Sequence, residues 1–339
     1  MKITITGPRS VGKTTVSKLL AKNLKLRYYS SDEIGEKALK KEGGLDRAIK
    51  SGTIEKFIRK DAYNLIRNVY KKDNFVLDLS GGAFSSKKYA EASKKVRKEA
   101  KENSIVIGLL PFENVKDSIN FLFEREKERI HFKNMDKREL FKKVKGDYSK
   151  YFKKLKDSCD FIVCVKNKEP DEIVTEINRL VMDKIISVIK IIHKKLKNKR
   201  IKWVVGGSLS LFLQGIDVKV KDIDIITNKK GAFKICEILK DCKINPVEFS
   251  EKRNVGSYLG QLKINNTKVD IMGDFSEKIN GKWVNISKRR LKEVKFKRFG
   301  GLRIPITPLE LHLESYKNLG RKKDIGKIKK IEARIREKY

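Results

Sequence analysis

The most restrictive feature of this sequence is residues 7–14, which read Gly-Pro-Arg-Ser-Val-Gly-Lys-Thr. A short apolar run, Ile3 to Thr6, precedes them, and a helical pattern begins at Thr14. This is the G-x-x-x-x-G-K-[ST] motif, in which backbone N–H groups and a helix N-terminus face a phosphate. Lys13 then reaches the β- and γ-phosphates of ATP, and the Thr14 hydroxyl holds Mg²⁺. A chance glycine-rich turn is the alternative. The residues predicted to bind the nucleotide are Gly7, Pro8, Arg9, Ser10, Val11, Gly12, Lys13, Thr14 and Thr15.

Composition indicates a globular protein with an excess of positive charge. The 339 residues suffice for two domains, and 39% of them are hydrophobic although the formal net charge is +38. Such a charge predicts attraction to polyanions, with nucleic acid as the first candidate. A general lysine bias or ion-pair chemistry is the alternative. The densest basic runs, 194–200 and 288–292, are also explained as solvated helix faces.

The remaining composition argues against several classes of protein. The four cysteines form no C-x-x-C pair and have no histidine cluster beside them, so a zinc site is not expected. No apolar run approaches the length that spans a membrane. The N-terminal residues are predicted to form a strand rather than a signal peptide. We therefore expect a cytoplasmic protein.

In the first half, strand-like runs alternate with helical patterns. The predicted strands after the first are 26–29, 75–79, 104–109 and 161–165. Continuous apolar strands separated by helices indicate an α/β fold whose parallel sheet is covered on both faces. Ligands of such sheets bind beyond the carboxyl ends of the strands.

Asp32 follows one of these strands. Ser30 and Glu33 have the spacing of a capping box, which places Asp32 in the first turn of a helix. A carboxylate there can accept a proton from a substrate hydroxyl or orient Mg²⁺ through water. An ordinary acid at the start of a helix is the alternative.

Two further features are candidates for binding an acceptor substrate. Arg59 lies in a helical stretch and can clamp an anionic group, although a surface arginine is the alternative. Gly81 and Gly82 follow the strand ending Asp78-Leu79, and a glycine pair permits close approach of backbone to a ligand. A plain glycine turn is again the alternative.

Together, residues 1 to about 180 resemble the shikimate-kinase-like branch of small P-loop kinases. The resemblance implies ATP-dependent phosphoryl transfer to a hydroxyl group. It implies that Asp32 is the base-like substrate aspartate and that Arg59, Gly81 and Gly82 bind substrate. Residues 123–129 resemble the lid that closes over the phosphates, where Arg129 or Arg125 stabilises charge in the transition state.

The sequence departs from that family at positions that contact its substrate. The family has a further arginine shortly before a tyrosine that resembles Tyr151, whereas residues 146–150 contain none. Its third glycine is Ala83 here, and no proline follows Arg129. We therefore expect an acceptor other than shikimate: a nucleoside, a sugar or a polynucleotide end.

A long helical pattern over residues 170–196 joins the two halves without a glycine- or serine-rich linker. We place the boundary near Asp183. The predicted domains are a kinase-like domain over residues 1–182 and a nucleotidyltransferase domain over residues 183–339.

The second half carries a different pattern of phosphate-binding residues. Gly206-Gly207-Ser208 follows a short strand, and Asp222 and Asp224 alternate on the next one. Two carboxylates on one strand face repel unless a cation lies between them, and Mg²⁺ with a triphosphate meets that need. Gly207 and Ser208 can bind the phosphates. Asp270, on a later alternating strand, is a candidate third carboxylate. Acids on a solvated strand, or a copy that only binds nucleotide, are the alternatives.

These residues resemble the polymerase-β-like nucleotidyltransferases, most of all the toxin-type and antibiotic-modifying ones. The resemblance covers about residues 202–339 and predicts an α+β domain. It implies that Asp222, Asp224 and Asp270 bind metal and catalyse nucleotidyl transfer. It also implies that Lys317 and Arg321 contact the nucleotide or brace the site.

The sequence thus predicts a bifunctional enzyme: an ATP-dependent kinase and an Mg²⁺-dependent nucleotidyltransferase. Its acceptors are small-molecule hydroxyls, RNA or both, and the transferase can act on the kinase product. One alternative is an RNA-directed nucleotidyltransferase, acting on tRNA or an RNA end, with an accessory kinase domain. Another is a nucleotide-gated nucleic-acid-binding protein.

Overall fold

The structure, a computed structural model, describes residues 1–128, 135–299 and 301–337. The chain divides into two compact units, Met1–Val181 and Met182–Tyr339. Each unit has its own sheet and its own buried residues.

The first unit is built on a five-stranded parallel sheet in the order β2-β3-β1-β4-β5. All residues of β3 and β4 are buried, because helices cover both faces of the sheet. The α/β fold class predicted for this half is confirmed. The strands are β1 (Lys2–Thr6), β2 (Arg27–Ser30), β3 (Phe75–Leu79), β4 (Ile105–Leu110) and β5 (Phe161–Cys164).

Side-chain caps fix the start of several helices in this unit. Ser30 accepts a hydrogen bond from the Glu33 N–H at 3.3 Å, so the predicted capping position is occupied. Asn114 and Asp136 cap two later helices. The helices are α1 (Lys13–Leu24), α2 (Ser31–Ala38), α3 (Leu45–Ser51), α4 (Ile54–Phe57), α5 (Tyr63–Tyr70), α6 (Gly81–Ser85), α7 (Ala90–Asn103), α8 (Val115–Lys127), α9 (Lys137–Ser158) and α10 (Pro170–Leu196). The sequence of α10 crosses the boundary between the units.

The second unit contains a mixed sheet in the order β12-β13-β6-β7-β10-β9-β8, with β11 paired to β10. Strand β10 alternates buried and partly exposed residues, so Val269 and Ile271 face the core while Asp270 faces away from it. The strands are β6 (Trp203–Val205), β7 (Ile223–Thr227), β8 (Lys243–Lys252), β9 (Val255–Ile264), β10 (Thr267–Ile279), β11 (Lys282–Asn285), β12 (Lys295–Phe299) and β13 (Leu302–Ile306).

Helices of the second unit pack around a cluster of buried residues. Leu211, Ile216, Leu309, Tyr316 and Ile331 form this cluster. The helices are α11 (Gly207–Leu213), α12 (Lys229–Ile238), α13 (Ile286–Lys292), α14 (Leu309–Leu319) and α15 (Ile325–Arg336). The mixed α+β fold predicted for this half is confirmed. Among the residues that the structure describes, no helix is both long and apolar enough to cross a membrane.

Candidate active sites

In the first unit, residues 7–12 form a tight turn between β1 and α1. Ser10 and Gly12 have positive φ angles of 65° and 95°. A Cβ on Gly7 would lie 2.7 Å from Val11 Cγ1 and 2.9 Å from the Leu109 carbonyl oxygen, so only glycine fits there. This turn leads directly into the N-terminus of α1, where unpaired N–H groups favour an anion.

The lysine and threonine of the motif contact different partners in this structure. Lys13 Nζ donates a hydrogen bond to the Pro8 carbonyl oxygen at 2.8 Å, so the side chain folds back over the turn. Thr14 Oγ1 donates to Asp78 Oδ2 at 2.7 Å. Asp78 is near the end of β3, the strand beside β1. The pairing of β1 with β3 therefore brings the Thr14 hydroxyl and the Asp78 carboxylate together at the carboxyl ends of these strands.

Asp78 is a buried carboxyl group that sequence reasoning did not select as a site residue. Burial raises its pKa, while the Thr14 hydrogen bond and the charge of Lys13 oppose that rise. The negative charge of Asp32 raises the pKa further. Oxygen ligands of this kind suit Mg²⁺, and a cation would relieve the cost of the buried charge. The sequence feature that could have identified Asp78 is its position, an acidic residue near the end of an apolar predicted strand.

The glycine pair lies against the phosphate-binding turn. A Cβ on Gly81 would come within 3.0 Å of the Gly7 carbonyl oxygen, whereas nothing lies within 4 Å of one on Gly82. The Ser80 N–H donates to Ser31 Oγ at 2.8 Å, which ties this segment to the first turn of α2. Asp32 is exposed in that same turn. Of the predicted acceptor residues, Gly81 thus borders the turn, Gly82 follows it in α6, and Asp32 lies in the helical turn that is tied to this segment.

Arg59 lies apart from this group of contacts. It is exposed in a π-helical stretch, Ile58–Ala62. The pKa of Glu55 is lowered mainly by its hydrogen bond to Lys88, and to a smaller degree by the charge of Arg59. Within the described residues, no hydrogen bond or ion pair joins Arg59 to Asp32 or the glycine pair. Its role as a substrate clamp stays a prediction.

Helix α8 contributes an arginine to the turn. Arg125 Nη1 donates to the Ser10 carbonyl oxygen at 3.0 Å, and its guanidinium lies 4.6 Å from the centre of the Phe121 ring. Ser10 Oγ also donates to the buried Glu126 carboxylate. Arg129, predicted to serve the lid, lies outside the described residues. Among the described residues of the predicted lid, 123–128, Arg125 is therefore the arginine that contacts the phosphate-binding turn.

Replacing Asp78 with Asn is expected to lower γ-phosphoryl transfer by more than about 10- to 100-fold, the loss typical when groups that only orient metal ligands are removed, because Asp78 can hold the cation itself. Asn keeps the size of the side chain but cannot hold a cation by charge. The measurement is transfer of γ-label from ATP. Asp73→Asn is the matched control, because the Asp73 side chain is 85% exposed and pairs only loosely with Lys2 at 3.7 Å. Equal activity of Asp78→Asn and Asp73→Asn would contradict the expectation.

In the second unit, Asp224 and Asp270 lie opposite each other on parallel strands β7 and β10. The Gly206 N–H donates to the Asp224 carbonyl oxygen at 2.8 Å, which places the glycine turn beside this strand. Gly207 has a φ of 54°, and a Cβ there would lie 1.7 Å from Asp224 Oδ2. Ser208 lies in the first turn of α11, next to that contact.

The carboxylates of this unit lie in an unfavourable electrostatic environment. Burial raises the pKa of Asp224 to about 7, and the negative charges of Asp222 and Asp270 add to the rise. The charges of Lys268 and Lys327 act in the opposite direction. A carboxylate that is costly to ionise beside two others is a site that a divalent cation would stabilise.

Asp270 already has two partners. Gln261 Nε2 donates to Oδ1 and Lys268 Nζ donates to Oδ2, each at 2.9 Å. Burial lowers the pKa of Lys268, but the hydrogen bond to Asp270 and the neighbouring carboxylates outweigh it, so that pKa lies above its ordinary value. In the described ranges, no three acidic, histidine or cysteine side chains converge on one metal position. The reason to expect a bound cation here is therefore the negative charge of Asp222 and Asp224.

Two cations of the C-terminal helices, Arg290 and Lys327, interact electrostatically with Asp224. Arg290 of α13 is buried and lies 3.8 Å from the buried Glu277. Burial lowers the pKa of Arg290, while the charges of Glu277, Tyr316 and Asp224 raise it. Lys327 of α15 lies 5.1 Å from the Tyr316 ring centre. The sequence analysis selected neither cation. Arg290 lies in a basic run that also fits a solvated helix face.

The two cations predicted from the C-terminal pattern make local ion pairs. Arg321 Nε lies 2.5 Å from the buried Asp324, to which Lys327 is also paired at 3.5 Å. Lys317 Nζ lies 2.7 Å from Glu332 on α15. Arg321 thus pairs with the N-cap residue of α15. The roles predicted for Lys317 and Arg321, contacting the nucleotide or bracing the site, stay predictions.

A buried polar network fixes α11, the helix that carries Ser208. Ser210 Oγ donates to the Thr307 carbonyl oxygen at 3.0 Å and lies 3.0 Å from His312 Nε2. Gln214 Nε2 donates to the same carbonyl at 3.0 Å. Burial lowers the pKa of His312 far below its ordinary value, so its ring is neutral at pH 7.

Replacing Gly207 with Ala is expected to abolish nucleotidyl transfer with only a small loss of stability. The added Cβ displaces the Asp224 carboxylate, which rotates away because it is the end of a side chain. The positive φ costs about 1 kcal/mol in addition. Gly320→Ala is the matched control, because Gly320 has a φ of 57° and open space around it. Thermal melting and α-label transfer separate the two effects; if both variants lose transfer equally, the contact with Asp224 is not the cause.

The fold and these sites define a two-part transferase, with a P-loop kinase-like unit followed by a nucleotidyltransferase-like unit. The family model for shikimate kinase matches residues 9–182, more than half of the chain, and the chain belongs to that family. The family model for aminoglycoside-2''-adenylyltransferase matches residues 188–331. Both families are transferases, so the predicted resemblances and enzyme class are confirmed.

Individual relatives match one half or the other. A shikimate kinase of Flavobacterium psychrophilum is 30% identical over 188 residues, which cover 53% of this chain and 98% of that protein. A Thermotoga maritima structure described as a nucleotidyltransferase is 36% identical, covering 44% of this chain and 92% of its own, with a TM-score of 0.38. A shikimate kinase from Acinetobacter baumannii in complex with shikimate is 19% identical, covering 54% and 93% respectively, with a TM-score of 0.41.

Proposed function

We propose that this protein is a bifunctional, Mg²⁺-dependent transferase. Its first unit passes the γ-phosphoryl group of ATP to a hydroxyl, and its second unit passes a nucleotidyl group from an NTP to a hydroxyl. One observation carries the proposal: each unit places a carboxylate whose pKa burial has raised where its glycine turn meets the following helix, with Asp78 bonded to Thr14 and Asp224 beside Gly207. Such pairs suit a phosphate-bound cation.

In the first unit, the turn binds the phosphates through its N–H groups and α1. Lys13 leaves the Pro8 carbonyl and contacts the β- and γ-phosphates. Thr14 and Asp78 would hold Mg²⁺, which supplies neutralisation of phosphate charge when bound. Asp32 positions the acceptor hydroxyl and takes its proton.

The acceptor of the first unit binds where the glycine pair borders the turn. Gly81 and Gly82 let it approach the backbone closely, and Arg59 clamps an anionic group. Arg125 and Arg129 stabilise charge as it develops on the transferred group. Every one of these groups is placed to bind or orient, since phosphoryl transfer depends mainly on positioning and charge.

The acceptor is a small molecule with a hydroxyl group, as the family names of both halves support. We infer that it is not shikimate. Residues 146–150 offer no arginine, and Tyr151 is occupied in the fold, where its hydroxyl lies 2.7 Å from Thr6 Oγ1 and its ring packs on Phe84. A sugar or nucleoside hydroxyl is the acceptor class we favour.

In the second unit, Asp222 and Asp224 would hold Mg²⁺, which when bound supplies charge neutralisation at the triphosphate. Gly207 and Ser208 bind the phosphates by backbone N–H and hydroxyl groups. Asp270 takes the proton of the acceptor hydroxyl, and Lys268 and Gln261 orient its two oxygens. Lys317 and Arg321 brace the helices that supply Lys327.

The decisive experiment follows two labels with the same protein. The protein is incubated with Mg²⁺ and either γ-labelled or α-labelled NTPs, against pooled metabolites and, separately, total RNA. We expect γ-label in the metabolite pool that depends on Lys13, and α-label that depends on the pair Asp222 and Asp224. Chelation of Mg²⁺ should stop both transfers. If neither label moves in either pool, the transferase proposal fails and a nucleotide-sensing role replaces it.

A further inference from the structure

The second unit has a cavity of about 380 Å³ that neither proposed activity uses. This volume lies within the range of about 300–1,000 Å³ that small-molecule sites occupy. Its walls include Trp203, Phe296, His193, Lys197, Lys202 and Arg303. Trp203 begins β6 and Gly206 follows the last residue of that strand. The cavity therefore borders the far end of β6, roughly 10 Å along the strand from the glycine turn.

The charges at this cavity are of one sign. No acidic residue lines it, and Lys197, Lys202 and Arg303 form no ion pair in the part of the chain that the structure describes. Arg298 of β12 lies directly opposite Arg303 of β13, and it too is without an ion pair among the described residues. Like charges directly opposite each other destabilise a strand pair. An anion bound between them would remove that repulsion.

Aromatic rings accompany these cations. Phe296 is 51% exposed on β12, an edge strand whose five residues are all exposed. The Arg303 guanidinium lies 4.1 Å from the centre of the Phe296 ring. Trp203 lies edge-on to His193 with ring centres 6.3 Å apart. Partly exposed rings interleaved with cations are the features on which proteins stack the bases of single strands.

We propose that this cavity and the adjoining face of β12 and β13 bind single-stranded nucleic acid. Bases stack on Phe296 and Trp203, while phosphates contact Lys202, Arg298 and Arg303. A single strand fits better than a duplex because only unstacked bases reach such rings. It fits better than a free nucleotide because the basic face continues past the cavity to Arg298. The formal net charge of +38 adds long-range attraction.

The binding test uses the two tryptophans of the chain. Trp283→Phe removes an exposed residue of β11 and leaves Trp203 as the sole tryptophan. Titration with single strands of about 12 nucleotides, RNA and DNA in separate arms at about 0.1 M salt, should quench Trp203 fluorescence. Anisotropy of a labelled strand on the unaltered protein gives the same Kd without the substitution. Phe296→Ala should weaken binding about tenfold, and Arg303→Ala should reduce the salt slope by about 0.7.

Matched variants separate this site from general charge. Phe249→Ala removes a ring that is 61% exposed, more than Phe296, from β8 at the other edge of the same sheet, and should leave Kd unchanged. Lys297→Ala removes a cation from β12 that alternates to the opposite face from Arg298 and should also have little effect. The double variant Asp222→Asn/Asp224→Asn should bind as before, because the inference is independent of nucleotidyl transfer.

Four results would overturn the proposal: absence of strand binding at this salt, equal binding of duplex and single strands, equal loss in the site and control variants, or binding of a mononucleotide such as UMP without binding of strands. Each can be obtained whether or not the protein transfers nucleotides, so failure here is distinguishable from failure of the proposed function.

Discussion

Replacing Asp224 with Asn is expected to reduce α-label transfer by more than about 100-fold and to leave γ-label transfer unchanged. The reduction exceeds the 10- to 100-fold loss typical of groups that only orient metal ligands, because Asp224 is proposed to hold the cation itself. The Asp224 carboxylate also lies so close to Gly207 that a Cβ on that glycine would clash with it. The measurement is transfer of both labels by one preparation. Loss of γ-label as well would mean that the variant protein is misfolded or that the two activities share a site.

The same substitution is expected to raise the midpoint of thermal unfolding at pH 8. Burial holds the pKa of Asp224 at about 7 in the folded protein, above the value of about 3.9 in an unfolded chain. The protonated group therefore contributes stability below about pH 4, and this contribution is lost as pH rises through 7. Asn stays neutral and avoids that loss, so variant and wild type should differ little at or below about pH 4 and increasingly as pH rises from 4 to 7. A gain of 1 kcal/mol corresponds to about 2–4 °C in a domain of this size.

Two controls test the physical reason for this gain. Asp217 is 84% exposed, and its pKa is lowered by a hydrogen bond from Lys330, so Asp217→Asn should not raise the midpoint at pH 8. Mg²⁺ should raise the midpoint of the wild type and not that of Asp224→Asn, since binding to the folded state alone is stabilising. A lower midpoint for Asp224→Asn at pH 8 would show that the buried charge is better compensated than the carboxylate cluster implies.

The parts of each site that could be predicted from the sequence are those formed by residues close together in the chain. The turn around Lys13 and the helix start at Ser30 are local structures, and both occur where their motifs place them. Asp222 and Asp224 were predicted from the alternation of one strand, but the observed β7 begins at Ile223, so only Asp224 lies on it and Asp222 directly precedes it. The predicted strands of the first half lie within one residue of the observed ones. For β1, β3 and β4 this is because continuous apolar runs mark strands that are buried on both faces.

The contacts that sequence could not supply join residues distant in the chain. Asp78 reaches Thr14 only because β3 pairs with β1. Asp270 lies opposite Asp224 only because β10 pairs with β7. Arg290 is buried although its neighbours in the run 288–292 are mostly exposed. The pairing of β8 with β9 also contains register shifts, which no local sequence pattern predicts.

Replacing Lys13 with Ala is expected to reduce γ-label transfer by about 10²–10³-fold, the loss typical when one group that stabilises transition-state charge is removed. Folding should be little affected, because in this structure Lys13 Nζ donates to a carbonyl of its own loop, at Pro8. Lys22→Ala is the matched control, an exposed lysine nine residues later on the same helix. Transfer of α-label should be unchanged in both variants.

This result bears on the chain as a whole, because Lys13 and Asp224 belong to different units. If Lys13→Ala removes only γ-label and Asp224→Asn removes only α-label, two independent sites act in one chain. The purified product of the first reaction can then be offered to the Lys13→Ala protein, which makes none itself. Incorporation of α-label into that product would show that the second unit uses what the first unit makes. If the product is ignored, the two units modify different acceptors, and their presence in one chain needs another explanation than consecutive steps.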